Sequence, residues 1–116
     1  MVNASPVALG AILIQTNDCG VHHVVSYASK SLTDTEKRYC QTEKEALAAV
    51  WGVERFQMYL LGKHFDLITD CKALQFLFTA RSKPCARIER WVLRLQAFDY
   101  TVKHIPGEKN VADVLS

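Results

Sequence analysis

Residues 42–70 constrain the fold more than any other stretch of this chain. Residues 43–61 carry apolar side chains at helical spacing, Gly62 follows as a stop, and residues 63–70 read as a strand with apolar Phe65, Leu67 and Ile68. With a strand pattern before the helix and another after it, the unit is a crossover, and a crossover joins parallel neighbours in one sheet. At about 100° per residue, Glu45, Ala46, Ala49, Val53, Phe56 and Leu60 share one helical face, while Glu43 and Glu54 fall well away from it. Thr42 is the expected N-cap, with Glu45 at capping-box spacing. Phase therefore separates the two early acids: Glu43 faces water and Glu45 sits at the edge of the buried stripe. The strand after the helix stops on a second acid, Asp70.

The flanking segments extend this unit into a layered α/β domain. Residues 1–5 read as the tail end of a strand whose beginning is missing. Residues 7–15 and 21–30 are strand-like and are joined by a turn rich in Asn, Asp and Gly, with Gly10 expected at a bulge or close approach. Residues 32–39 read as a loop or a short helical turn. Beyond Asp70, residues 72–79 predict a short apolar helix and residues 80–84 a basic loop. Residues 86–97 predict a helix with Ile88, Trp91, Val92 and Leu95 inside and Arg87, Arg90 and Arg94 outside. Residues 98–105 alternate as a last strand, and Asn110 caps a final helix that starts at Val111 and is cut short by the end of the chain. The pattern predicts one α/β domain over residues 1–116: a five-stranded mixed sheet, three antiparallel strands then two parallel ones, with helices on both faces.

With 116 residues the chain has enough length for one core and too little for two. A net charge of only +2 excludes a polycation, so a nucleic-acid partner needs a local basic patch. Arg81, Lys83, Arg87, Arg90 and Arg94 form the most basic region. A solvated helix face and a phosphate-contacting surface are both open readings of it. No apolar run approaches the roughly 18 residues of a membrane span, and residues 1–20 lack the pattern of a signal peptide. Cys19, Cys40, Cys71 and Cys85 are too far apart in sequence for a CxxC metal motif and are expected as reduced thiols of an intracellular protein. His22 and His23 are adjacent on a strand and so face opposite ways. Trp51 and Trp91 sit at helical positions that predict packing rather than base stacking.

Ligands of open α/β sheets tend to sit at the carboxyl ends of the parallel strands. Asp70 ends one such strand, Glu45 enters the crossover helix, and Asp113 enters the last helix. A fourth group is expected on the first strand, at position 3. Carboxylates gathered in this way hold a divalent metal or move a proton. Taken singly, each is an ordinary acid of a helix start or a turn; the set carries the information.

The chain resembles the ribonuclease H domain of the reverse transcriptases of gypsy-type long-terminal-repeat retrotransposons. The resemblance rests on NASPVALGAILIQ, on VSYASKSLTDTEKRYCQTEKEALAAVWGVERFQMYLLGKHFDLITD, on RIERWVLRLQAFDYTVKHIPG and on EKNVADVLS, and covers nearly the whole chain. It implies endonucleolytic cleavage of the RNA strand of an RNA–DNA hybrid. It also implies two Mg²⁺ ions, for which Mn²⁺ can substitute, held by four acids, one ion activating the attacking water and the other steadying the leaving oxygen. Carried over residue by residue, the helix acid falls on Glu45, the strand-end acid on Asp70 and the last-helix acid on Asp113. The resemblance further implies a fragment of a larger Pol polyprotein with a polymerase and other domains, in a cytoplasmic retrotransposon particle.

The departure from the family pattern is at the first acid, where Asn3-Ala4-Ser5 stands in place of Asp-Ala-Ser. Asn offers a neutral carbonyl where the family uses a carboxylate that bridges two cations. Weaker metal binding and a large loss of rate are expected. Asn3 is compatible with a decayed or domesticated copy, with a deliberate inactivating change, and with an odd starting point of translation or cloning. A second reading follows from it: a fold retained for nucleic-acid binding or as a structural module without cleavage. An integrase-like nuclease is a weaker third reading, because TEKE and NVADVLS fit the ribonuclease H pattern throughout. Related enzymes use a loop histidine to help product leave. His104 has no secure match to it and is expected to be a core or surface residue.

Overall fold

The computed structural model describes residues 1–74 and 86–105. Five strands, β1 (Val2–Ala4), β2 (Ala8–Thr16), β3 (His22–Ser31), β4 (His64–Thr69) and β5 (Asp99–His104), form one sheet in the order β3-β2-β1-β4-β5. β1 and β3 pair with β2 in antiparallel fashion, whereas β4 runs parallel to both β1 and β5. The expected three-plus-two arrangement is therefore present. The helices are α1 (Asp34–Lys37), α2 (Gln41–Arg55), α3 (Gln57–Leu60) and α4 (Ala86–Arg94), the last running into a 3₁₀ turn, Leu95–Ala97. The expected helices over residues 72–79 and from Val111 lie largely or wholly outside the described residues.

Alternation on β1 and β2 creates the surface on which α2 rests. Val2 and Ala4 are buried and pair with Ala11 and Leu9, which are buried too, while Asn3 between them is exposed. Side chains alternate across a strand, so the four apolar residues face α2 and Asn3 faces the other way. Against them α2 presents Ala46, Ala49, Val50 and Val53, all at most 1% exposed. Gly52 has a specific reason to be glycine. A Cβ there would lie 2.8 Å from Ala11 Cβ and 3.0 Å from Val2 Cγ1, so its absence lets helix and sheet close to contact distance. On α2's other flank α4 packs through Ile88, Trp91 and Leu95.

Several boundaries differ from expectation for local reasons. The bulge in the β2–β3 ladder lies between Leu13 and Ile14, not at Gly10. The expected helix over residues 43–61 breaks at Phe56, whose backbone (φ −106°, ψ 21°) leaves helical geometry, and α3 then ends at Gly62 with φ +83°. The capping box forms not at Thr42 but at Thr33, whose hydroxyl accepts from the Glu36 N–H while the Glu36 carboxylate accepts from the Thr33 N–H. α2 is instead entered from Cys40, which is extended at φ −66°, ψ 162°.

Candidate functional site

The early start of α2 gives Glu43 and Glu45 different surroundings. With Cys40 at the N-cap, the acid of the third helical position is Glu43, and it takes the helix-start role. Burial raises the pKa of Glu43, but hydrogen bonds from Cys40 and Arg87, with the Arg87 guanidinium charge, outweigh it and hold the carboxyl below its ordinary value. Glu43 also forms an ion pair with Arg87 and is half-buried, so it does not simply face water as its phase predicts. Glu45 lies further into the helix, has no capping duty and is 5% exposed.

Three elements meet around Glu45. The Gln41 amide nitrogen lies 2.9 Å from Glu45 Oε1 and 3.0 Å from the Ala4 carbonyl oxygen, tying α2 to the end of β1. The other carboxylate oxygen, Oε2, is buried and has no hydrogen-bond partner. Burial pushes the pKa of Glu45 up to about 7; the Gln41 hydrogen bond and the Ala4 backbone oppose that shift and the charge of Asp70 adds to it. Asp70 is thus close enough to act on Glu45 electrostatically. It follows β4 directly, and the Cys71 N–H turns back to Thr69 Oγ1 at 3.1 Å, closing a tight turn around it. Val2 pairs with Thr69 in the parallel β1–β4 ladder, and Asn3 and Asp70 are the residues that follow this pair.

Glu45 and Asp70 thus lie close together at the carboxyl end of β4, and the Gln41 amide beside Glu45 reaches the β1 backbone one residue after Asn3. Asp113 lies outside the described residues. No cluster of three His, Cys, Asp or Glu side chains suited to a metal occurs among the described residues. The donors that remain suit a hard divalent cation: two carboxylates, one of them with a buried oxygen that nothing in the protein satisfies. A buried oxygen of this kind costs free energy unless a proton or a cation meets it.

The basic residues are not equivalent. Arg81 and Lys83 lie outside the described residues. Arg87 pairs with Glu43 and stacks over the Tyr39 ring at 4.1 Å, and Arg94 pairs with Glu54, while Arg90 is exposed. Sequence reasoning missed both cross-helix pairs because each joins residues forty or more positions apart. It also missed Lys44, which is 7% exposed and donates to the Pro6 carbonyl at 3.3 Å, holding the β1–β2 loop over the start of α2. Trp91 is buried and Trp51 packs half-buried against the core, as expected. A cavity of about 670 Å³ is lined by Ala11, Leu13, Val53, Phe56, Leu60 and neighbouring residues, and neither Glu45 nor Asp70 borders it. Cys19, Cys40 and Cys71 are free thiols.

Residues 1–98 match the family described as the RNase H-like domain found in reverse transcriptase. The chain belongs to that family. Its relatives include the retrovirus-related Pol polyprotein from transposon 297 of Drosophila melanogaster, 40% identical over 115 residues, and the transposon Tf2-3 polyprotein of Schizosaccharomyces pombe, 34% identical over 118. Each alignment takes in 98% of this chain but only 10% and 9% of the relative, so this RNase H-like domain spans about a tenth of their length. Among solved structures it resembles RNase H1 from the archaeon Halobacterium salinarum NRC-1 (TM-score 0.65, 17% identity, 90% of this chain and 76% of that one). It also resembles LC11-RNase H1 in complex with an RNA/DNA hybrid (TM-score 0.66, 14% identity, 97% and 86%). At such identities the likeness establishes the RNase H-like α/β fold. No helix among the described residues is long and apolar enough to cross a membrane.

Proposed function

We propose that this RNase H-like domain is the RNA–DNA hybrid ribonuclease of a gypsy-type retrotransposon reverse transcriptase, impaired at one ligand. The observation that carries the reading is the buried, unpartnered Oε2 of Glu45 beside Asp70 at the carboxyl edge of β1 and β4. Glu45, Asp70 and Asp113 are the proposed holders of Mg²⁺, with Asn3 in the position of the fourth ligand. Bound there, the cations would supply Lewis-acid activation of water and charge stabilisation at the scissile phosphate. The chain's own part is to present fixed anionic oxygens. β4 delivers Asp70 at a strand end, α2 carries Glu45 into a buried corner, and Asn3 contributes only a neutral carbonyl. Arg81, Lys83, Arg87, Arg90 and Arg94 are the proposed contacts to the hybrid, sequence-independent and salt-sensitive. The natural setting we propose is a cytoplasmic polyprotein particle, with residues 1–116 acting as one domain beside the polymerase. That setting predicts that an epitope-tagged copy expressed with its polyprotein fractionates with cytoplasmic particles; recovery in the nucleus or at membranes would overturn it.

The deciding experiment is Mg²⁺-dependent cleavage of a labelled RNA–DNA hybrid by this chain and by Asn3→Asp. Cleavage by Asn3→Asp that is lost on adding Glu45→Gln supports the reading; absence of cleavage by both chains, with hybrid binding intact, removes it. Asn3 itself favours a second reading, a module that binds nucleic acid without cutting. Equal cleavage rates for the chain and for Asn3→Asp would eliminate that alternative.

A further inference from the structure

Gln41 stands at the surface on the first turn of α2, yet its amide is turned inward and both of its N–H donors are engaged. One goes to the Ala4 carbonyl, the residue after Asn3 on β1; the other goes to Glu45 Oε1, one helical turn further along α2. The two oxygens of Glu45 are thereby made unequal. Oε1 is satisfied by the protein, and Oε2 is buried with no partner. A carboxylate with two free oxygens in a small corner can rotate about its last bond and offer either one. Here rotation would break a hydrogen bond that also ties helix to strand. Because the same amide reaches the backbone next to Asn3, it fixes Glu45 relative to β1 and not only relative to its own helix.

We propose that Gln41 is a positioning residue that locks the Glu45 carboxylate, so that Oε2 alone is presented to a divalent cation. The proposal rests on the metal-binding reading of Glu45 given above. It extends that reading to a side chain that the four-acid pattern does not include. Groups that orient a ligand from behind typically change metal affinity by roughly 10- to 100-fold when removed.

The test is a double-mutant cycle in the full chain, repeated in Asn3→Asp, with Mn²⁺ as the probe. Free Mn²⁺ is counted by electron paramagnetic resonance at a temperature where every variant is folded. Gln41→Met keeps side-chain length and helix propensity but removes both donors. The expected result is Mn²⁺ binding at least about tenfold weaker in Gln41→Met, with no further loss when Gln41→Met is added to Glu45→Gln. A purely structural role would lower the melting temperature and leave the dissociation constant of the folded protein unchanged; that result overturns the proposal. Equal losses in the Glu45 and Glu45→Gln backgrounds overturn it as well, because Gln41 would then act by another route. If Glu45→Gln binds Mn²⁺ as tightly as the chain itself, the metal reading of Glu45 fails and takes this inference with it. That outcome is recognised without Gln41→Met at all.

Discussion

Arg87 of α4 closes on Glu43 of α2 while its guanidinium lies 4.1 Å from the centre of the Tyr39 ring. One side chain from the most basic region thus fastens two helices and the loop before α2. Arg90, one turn along, is exposed. Arg87→Met is expected to destabilise the domain by about 1 kcal/mol, from a half-exposed ion pair and a cation–π contact. Arg90→Met should stay within about 0.5 kcal/mol of the parent. The order reverses for the hybrid: Arg90→Met weakens binding more, because the charge of Arg87 is already engaged. Urea melts and hybrid titrations at two salt concentrations check both orders.

The contribution of Glu45 to the stability of the metal-free domain should fall as pH rises. The pKa of Glu45 is about 7 in the fold against 4.5 for an ordinary glutamate. Between those values the native state holds more protons than the unfolded chain, so the slope of unfolding free energy against pH is negative. The contribution is fully present below about pH 4.5 and is lost as pH passes through 7, with an upper bound of roughly 3 kcal/mol. Glu45→Gln should flatten that part of the profile, as read by thermal melts from pH 4 to 8 in chelator.

Asn3→Asp should change sign with metal. Without metal it adds a third negative charge beside Asp70 and Glu45, which costs on the order of 1 kcal/mol at a partly solvated site. With Mg²⁺ or Mn²⁺ the same charge becomes a ligand and the stability increment from metal grows, following the ordinary linkage of binding to folding. Melting temperatures of both chains, with and without metal, measure this. An Asn3→Asp domain that is destabilised equally in both conditions would count against metal binding at this corner.

Gly52→Ala should destabilise despite the better helix propensity of alanine. The added Cβ meets Ala11 Cβ at 2.8 Å and Val2 Cγ1 at 3.0 Å, and neither is the far end of a flexible side chain. Overpacking of this kind costs about 1–3 kcal/mol, against a propensity gain of about 1 kcal/mol. A net loss near 1 kcal/mol in urea unfolding is expected. An unchanged or raised midpoint would mean that helix and sheet can separate more freely than their contact implies.

Much of this architecture is readable from residue patterns alone. Period-two and period-3.6 spacing mark β2, β3, α2, β4, α4 and β5, and the crossover rule sets β4 parallel to β1. Ala46, Ala49 and Val53 are buried where phase puts them. What phase does not reveal is which of several residues caps a helix. Thr42 and Cys40 compete, and the extended backbone at Cys40 wins, which hands the helix-start role to Glu43 and leaves Glu45 without one. Nor does it reveal pairs such as Glu43 with Arg87, or a lysine held under a loop carbonyl as Lys44 is. Those contacts exist only once distant segments are folded together. Glu45 and Asp70 stand out in the sequence by their positions at element ends. The unequal environments of the two Glu45 oxygens follow from Gln41, whose part depends on the α2–β1 geometry.

The missing side chain at Gly52 reaches beyond its own contact. α2 is one stiff rod from Gln41 to Arg55, and Glu45 rides on it about two turns from the point where the rod touches the sheet. At the other end of the rod the Gln41 amide holds the Ala4 carbonyl, so the seating of Glu45 is set from both ends, one of them a residue that bears no charge.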